Sequence, residues 1–221
     1  MTQECEYIDT PPEHDYIDTS IWYKNVIIDP YQTIAEFFTA ADVAYYRKTI
    51  KRAISVASSD KVWSKSSPGD LLWFFEKLES AINAAYLINM LKKKSPLSIG
   101  KEDVFNPNLY CGWHGGLTEW DFFPRSLSLK EYIDPYIAFK KFFKFRTLDE
   151  WKEELHEVME FALGKTSFSE ASVEFDTLPI YFHLTKVVEA AHLIDVREIT
   201  HIGGSIKNRL KKKYPSFDQL T

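Results

Sequence analysis

Apolar side chains recur at helical spacing over most of the chain. One stripe occupies positions i, i+4, i+7, i+8 and i+11 of a single segment: Trp151, Leu155, Val158, Met159 and Ala162. This spacing places all five on one face of an amphipathic α-helix. Ahead of the stripe, Thr147 and Glu150 have the spacing of a capping box, which predicts that the helix starts at Thr147.

The same pattern occurs 105 residues earlier in the chain. The earlier stripe consists of Tyr46, Ile50, Ala53, Ile54 and Ala57. The segments ahead of the two stripes, 28–38 and 133–143, share six identities in eleven aligned positions, where composition alone predicts about one. The sequence therefore predicts a duplicated unit of roughly 65 residues.

Each unit is predicted to contain three helices. A short helix, over 31–38 or 136–143, opens with Asp-Pro-Tyr, since Asp is a favoured N-cap and Pro is tolerated at the first helical position. The stripe helix follows, and a last helix is predicted to be capped by Asp70 or Asp176. Between these two helices, Trp63 and Phe168 are expected to plug the end of each hairpin.

These patterns predict an all-α fold, an internally duplicated helical-hairpin bundle of two pseudo-symmetric repeats. A long aromatic-rich segment connects the repeats, and they are expected to share one core because each is too small to bury enough surface alone. The predicted parts are a flexible acidic N-terminal arm, repeat 1, the connecting segment, repeat 2 and a basic C-terminal tail, at 1–22, 23–94, 95–130, 131–196 and 197–221.

The connecting segment 95–130, which we call the strap, has no helical period. It is rich in Pro, Gly and aromatic residues, and structureless connections of this length are often functional. We interpret it as a seal over the seam between the repeats. The alternative is a segment that also lines a ligand or partner site, with these candidate residues: Tyr110, Cys111, Trp113, His114 and Trp120.

Composition and charge restrict the class of protein. The net charge of −5 argues against a dedicated nucleic-acid protein. The 221 residues include two cysteines, too few for a disulfide framework, which favours a reducing, cytoplasmic setting. The first twenty residues hold six acids and no Lys or Arg, the reverse of a secretory signal peptide. The longest uncharged apolar run has twelve residues, too few to span a membrane.

No arrangement of residues predicts catalysis, and no cofactor or metal is expected. Cys111 and His114 have half of a zinc-site spacing, or that of a thiolate–imidazolium pair, but no second ligand pair is nearby. Two Glu-x-x-His elements lie on the long helices, at 153–156 and 189–192. Helical geometry directs them away from a common centre, so we interpret them as surface and boundary residues.

Three functions remain open. The preferred hypothesis is a non-enzymatic regulatory or interaction protein with a protein partner. A nucleic-acid-binding regulator is the alternative, using a basic cluster in the tail: Lys207, Arg209, Lys211, Lys212 and Lys213. The third is an enzyme or small-ligand binder with its site in the strap.

Overall fold

Helices form nearly all of the regular secondary structure in the described residues, and the exception is one pair of two-residue strands. A computed structural model describes residues 27–91, 99–100, 103–112, 117–171, 175–202 and 205–206. The helices in these ranges are α1 Pro30–Ala40, α2 Val43–Ala57, α3 Pro68–Met90, α4 Glu119–Phe122, α5 Leu129–Ile133, α6 Tyr136–Phe145, α7 Leu148–Leu163 and α8 Thr177–Glu198. The prediction of an all-α class is confirmed.

The remaining elements are short. A 3₁₀ helix spans Pro107–Leu109, and strands β1 His201–Ile202 and β2 Ser205–Ile206 pair antiparallel. The predicted acidic arm 1–22 and the basic cluster 207–213 lie outside the described residues.

Local capping signals set most helix starts. Asp29 caps α1 by accepting hydrogen bonds from two backbone N–H groups, and Thr147 and Glu150 form the predicted capping box of α7. The prediction that Asp70 is the N-cap of α3 is wrong. Ser67 is the N-cap, and Asp70 completes a capping box by accepting from the Ser67 N–H at 2.9 Å. Pro68 fits the first helical position because a backbone N–H at that position would make no hydrogen bond within the helix.

The strap contains helical turns that the sequence did not predict. Thr118 and Asp121 start the four-residue α4. After a short connection, Ser128 and Glu131 start α5 at the end of the strap. Asp134 was predicted to be the N-cap of the short helix, but it comes directly after the last residue of α5, Ile133. Its carboxylate still accepts a hydrogen bond from the Tyr136 N–H at 3.2 Å. Single capped turns are too short to leave a periodic pattern.

The long helices pack across the two halves of the chain. Helix α2 lies against α7 and α8, and α7 in turn lies against α3. Neither α2 with α3 nor α7 with α8 forms the close helix pair that the predicted hairpins required. Much of the apolar stripes of α2 and α7 is therefore covered by helices from the opposite half, so the two halves interlock.

Residues 105 positions apart make matching contacts. Phe37 stacks on Tyr46 with ring centroids 3.8 Å apart, and the Tyr46 hydroxyl donates to the Phe37 carbonyl oxygen at 2.7 Å. In the second half, Phe142 stacks on Trp151 at 4.0 Å, and the Trp151 indole donates to the Phe142 carbonyl oxygen at 3.1 Å. Both rings of each pair are buried, so each short helix is fixed to the next by one stacked pair.

Matching residues also bridge the halves. The Trp63 N–H donates to the Ala162 carbonyl oxygen at 2.9 Å, and the Phe168 N–H donates to the Ala57 carbonyl oxygen at 3.1 Å. Both aromatic side chains are buried, as expected of plugs, but each anchors its loop to the end of the opposite stripe helix. No helix in the described ranges has the length and apolarity needed to cross a membrane.

Interlocking predicts that neither half folds alone. Residues 1–100, expressed without the rest of the chain, should show no cooperative urea transition by circular dichroism, because the α2 stripe loses its cover. A full chain cut between residues 95 and 98 after folding is the matched control and should keep a cooperative transition. A cooperative transition of the isolated 1–100 fragment would show that its core is self-sufficient.

Candidate functional site

The strap is anchored to the helices by a buried ion pair. Arg47 of α2 and Glu189 of α8 are only 8% and 1% exposed, and Arg47 Nη1 lies 3.0 Å from Glu189 Oε1. The prediction that Glu189 and His192 are surface or boundary residues is wrong, since both are buried. Helix α8 is covered by helices on several sides, so the apolar stripe read from its sequence underestimates its buried surface.

The ion pair binds the strap through its backbone. Arg47 donates to the carbonyl oxygens of Phe123, at 2.9 Å, and Asp121. Glu189 accepts from the two successive N–H groups at 125 and 126, at 2.9 and 2.8 Å. A buried charge is tolerated only when such partners replace its water. Each ion therefore finds its counterion on the other helix and its remaining partners on the strap.

A second set of contacts anchors the first part of the strap. His192 Nε2 lies 2.9 Å from the Tyr110 carbonyl oxygen, and because a carbonyl only accepts, Nε2 carries the proton. Arg197 Nε donates to the Leu109 carbonyl oxygen at 2.8 Å, and its guanidinium lies 4.4 Å from the centre of the Tyr132 ring. Gly112 passes so close to His192 that an added Cβ would lie 3.1 Å from the imidazole.

Five aromatic residues cluster on this anchored backbone around Phe123, and we call them the aromatic patch: Phe105, Tyr110, Trp120, Phe123 and Tyr132. Tyr110 and Tyr132 are buried beneath it. Trp120 and Phe105 are the outer members, 73% and 69% exposed. Arg125 Nη2 donates to the Trp120 carbonyl oxygen at 3.1 Å, which fixes the turn that carries the indole.

The candidate residues that the sequence suggested in the strap differ in their exposure. Of the five, Tyr110 is buried, Cys111 is half-buried and Trp120 is exposed, while Trp113 and His114 lie outside the described residues. Burial, together with the nearby Glu119 carboxylate, raises the pKa of the Cys111 thiol to about 11. A thiol with this pKa is almost entirely protonated near neutral pH, which disfavours a nucleophilic role.

Metal ligands are not assembled in the described ranges, where no three His, Cys, Asp or Glu side chains come together in a metal-binding arrangement. Glu153 and His156 are exposed on α7, whereas Glu189 and His192 form hydrogen bonds with backbone groups of the strap. The two Glu-x-x-His elements therefore face different surroundings.

Comparison with protein-family models, curated proteins and solved structures found no significant match to this chain.

A second surface carries only basic charge. Between α2 and the loop that leads into α3 lies a groove of about 590 Å³, and we call it the basic groove. Its lining consists of Lys48, Lys51, Arg52, Ser55, Val56 and residues 61–65.

The basic groove was not predicted from the sequence. Lys48, Lys51 and Arg52 follow helical spacing opposite the apolar stripe, which is the ordinary pattern of a solvated helix face. Lys61 and Lys65 lie in the polar break beyond that helix. The overlooked signal is the balance of charge, since residues 43–69 contain six basic residues and one acid.

The anchor predicts strong coupling between Arg47 and Glu189. Glu189→Gln or Arg47→Met alone should lower the free energy of unfolding by about 3 kcal/mol, because each leaves a buried partner unsatisfied. The double variant should lose clearly less than the sum of the two. Urea unfolding of all four proteins measures this.

The control is Glu154→Gln, which breaks the more exposed ion pair with Arg146. It should lower the free energy of unfolding by less than about 1 kcal/mol. Strict additivity would show that the ion pair is not a coupled anchor.

The raised pKa of Cys111 predicts slow alkylation. In a Cys5→Ser background, iodoacetamide at pH 8 should modify Cys111 about a hundredfold more slowly than free cysteine, because the thiolate fraction is that much smaller. Mass spectrometry of samples quenched at successive times measures the rate. Reaction as fast as that of free cysteine would restore the thiolate hypothesis.

Proposed function

We propose that the protein is a non-enzymatic interaction protein that presents the aromatic patch of the strap to a protein partner. The observation that carries this proposal is the exposure of Trp120, at 73%, on a backbone segment fixed by buried charges. Trp is the residue type most often found at the energetic centre of protein interfaces. Its indole offers a large apolar surface for a partner to bury.

Preorganisation supports the same proposal. The carbonyl and N–H groups at 121–126 are held by Arg47 and Glu189, so little backbone entropy remains to be lost on binding. Phe105 adds a second exposed ring, stacked on Phe123 at 5.8 Å. A partner with an apolar pocket would cover both outer rings at once.

The chemistry of the strap favours binding over catalysis. Its half-buried thiol has a raised pKa. The buried imidazole and carboxylate beneath it, His192 and Glu189 of α8, are used to hold its backbone groups. A reducing, cytoplasmic setting is part of the proposal, because Cys111 is a free thiol in the described chain.

We also propose that the two halves arose by duplication of one helical unit. The support is the set of matching contacts 105 residues apart, above all the stacked pairs 37–46 and 142–151. Tyr31 and Tyr136 hold equivalent positions and their hydroxyl oxygens lie 3.3 Å apart, as expected near an axis of approximate twofold symmetry. In this proposal the strap evolved as the connection between the copies.

The proposal predicts that removing the outer rings abolishes partner binding without unfolding the protein. A Phe105→Ala, Trp120→Ala double variant should bind its partner at least about 30-fold more weakly, since hot-spot aromatics each contribute about 2 kcal/mol or more. Immobilised full-length protein, exposed to an extract of its own cells at 0.5 M salt, tests this by quantitative mass spectrometry. Apolar contacts survive such salt.

The matched control is Trp73→Ala, which removes a partly exposed indole from α3. Wild-type and control proteins should retain the same protein, and the double variant should lose it while keeping its melting temperature within a few degrees. Identical retention by all three proteins, or no specific retention by the wild type, would contradict the proposal.

A further inference from the structure

The basic groove has two walls that the fold holds in place. One wall is the outer face of α2, where Lys48, Lys51, Arg52 and Ser55 follow each other at i, i+3, i+4 and i+7. Residues with this spacing share one face of a helix. The other wall is the loop 61–65, which brings in Lys61 and Lys65.

Trp63 fixes the second wall. Its side chain is only 8% exposed, its backbone N–H donates to the Ala162 carbonyl oxygen at 2.9 Å, and its indole donates to the Ser66 hydroxyl at 3.1 Å. The lysines on either side of Trp63 therefore project from an anchored loop. The groove is formed before any ligand arrives.

Within the described part of the chain, the five basic side chains of the groove form no ion pair. No described carboxylate lies within 4.0 Å of any of them. Asp60 is the one acid between residues 43 and 69, and it does not line the groove. The helix dipole does not account for the lysines and arginine of α2, because its last turn contains no basic residue.

The same surface in the second half of the chain carries the opposite charge. At the 105-residue offset, Lys48 corresponds to Glu153, Arg52 to Glu157, and Lys65 to Glu170. Residues 148–174 contain eight acids and two basic residues, against one acid and six basic residues in 43–69. Matching packing positions thus carry unlike outer faces. The positive charge of the groove is therefore not a by-product of the helical packing.

We infer that the basic groove binds the phosphodiester backbone of a nucleic acid. Four of its five cations are lysines, which bind phosphate as point charges without a fixed orientation, so a row of them can follow a chain of phosphates. Ser55 and Ser64 add hydroxyl groups for phosphate oxygens. Trp63 is buried, which leaves the contacts to the basic and hydroxyl side chains. Because phosphate contacts carry no sequence information, binding is expected to be independent of base sequence.

The inference is independent of the aromatic patch, and charge-matched variants test it. Lys48→Gln with Arg52→Gln should weaken binding of a fluorescent single-stranded oligonucleotide about 20-fold at 0.1 M salt. It should also make the slope of log K against log salt shallower by about 1.4, since each phosphate contact contributes about 0.7. Fluorescence anisotropy of the full-length chain measures both quantities.

The control is Glu153→Gln with Glu157→Gln, which alters the equivalent positions of α7 by the same number of charges. Its affinity should stay within about threefold of wild type. A third variant, with Lys211, Lys212 and Lys213 changed to Gln, separates any contribution of the tail, and adding the groove changes to it should cause a further loss. Affinity and slope unchanged by the groove changes, in folded protein, would overturn the inference.

An acidic polypeptide is the competing ligand, and the chain supplies a probe for it. A peptide of residues 1–22, with six acids and no Lys or Arg in its first twenty positions, should displace the oligonucleotide only at much higher concentration than unlabelled oligonucleotide does. Displacement at equal or lower concentration would assign the groove to an acidic protein segment and overturn the phosphate assignment.

Discussion

Packing of the two stripe helices against the opposite half of the chain is the constraint on which the rest of the structure depends. Helix α2 has its cover on α7 and α8, so the polar positions beside its stripe are brought against the second half as well. Arg47 and Glu189 meet for this reason, although 142 residues separate them in sequence. Once they are paired, their remaining hydrogen-bonding capacity has to be met by the strap that crosses above them.

The strap is consequently held by its backbone and not by its outermost side chains. Carbonyl and N–H groups at 121–126 satisfy the buried ions, and the side chain of Trp120 remains outside. The interior of the strap thus contributes to stability, while its outer aromatic rings stay exposed to solvent. The outer face of α2 follows the same logic, since its stripe is occupied by packing and its basic residues face solvent.

Helix type and the start of α7 could be predicted from the sequence because apolar spacing and capping pairs such as Thr147 with Glu150 are local signals. Helix pairing could not, since the stripe of α2 fits a helix of either half equally well in sequence. The burial of Glu189 and His192 was missed because both compensate their polarity through distant backbone groups. The groove was missed because the basic residues of α2 have the ordinary pattern of a solvated helix face, and only the fold brings loop 61–65 beside them.

The interlocked helices also affect how the chain is made. During synthesis the N-terminal half leaves the ribosome first, at roughly 5–20 residues per second. The residues of α8 that complete its core, such as Leu193 and Ile194, are made only after the strap and α7. Until then the nascent chain carries an uncovered apolar helix face, a feature that chaperones bind. The final packing of α2 therefore waits until α7 and α8 have left the ribosome.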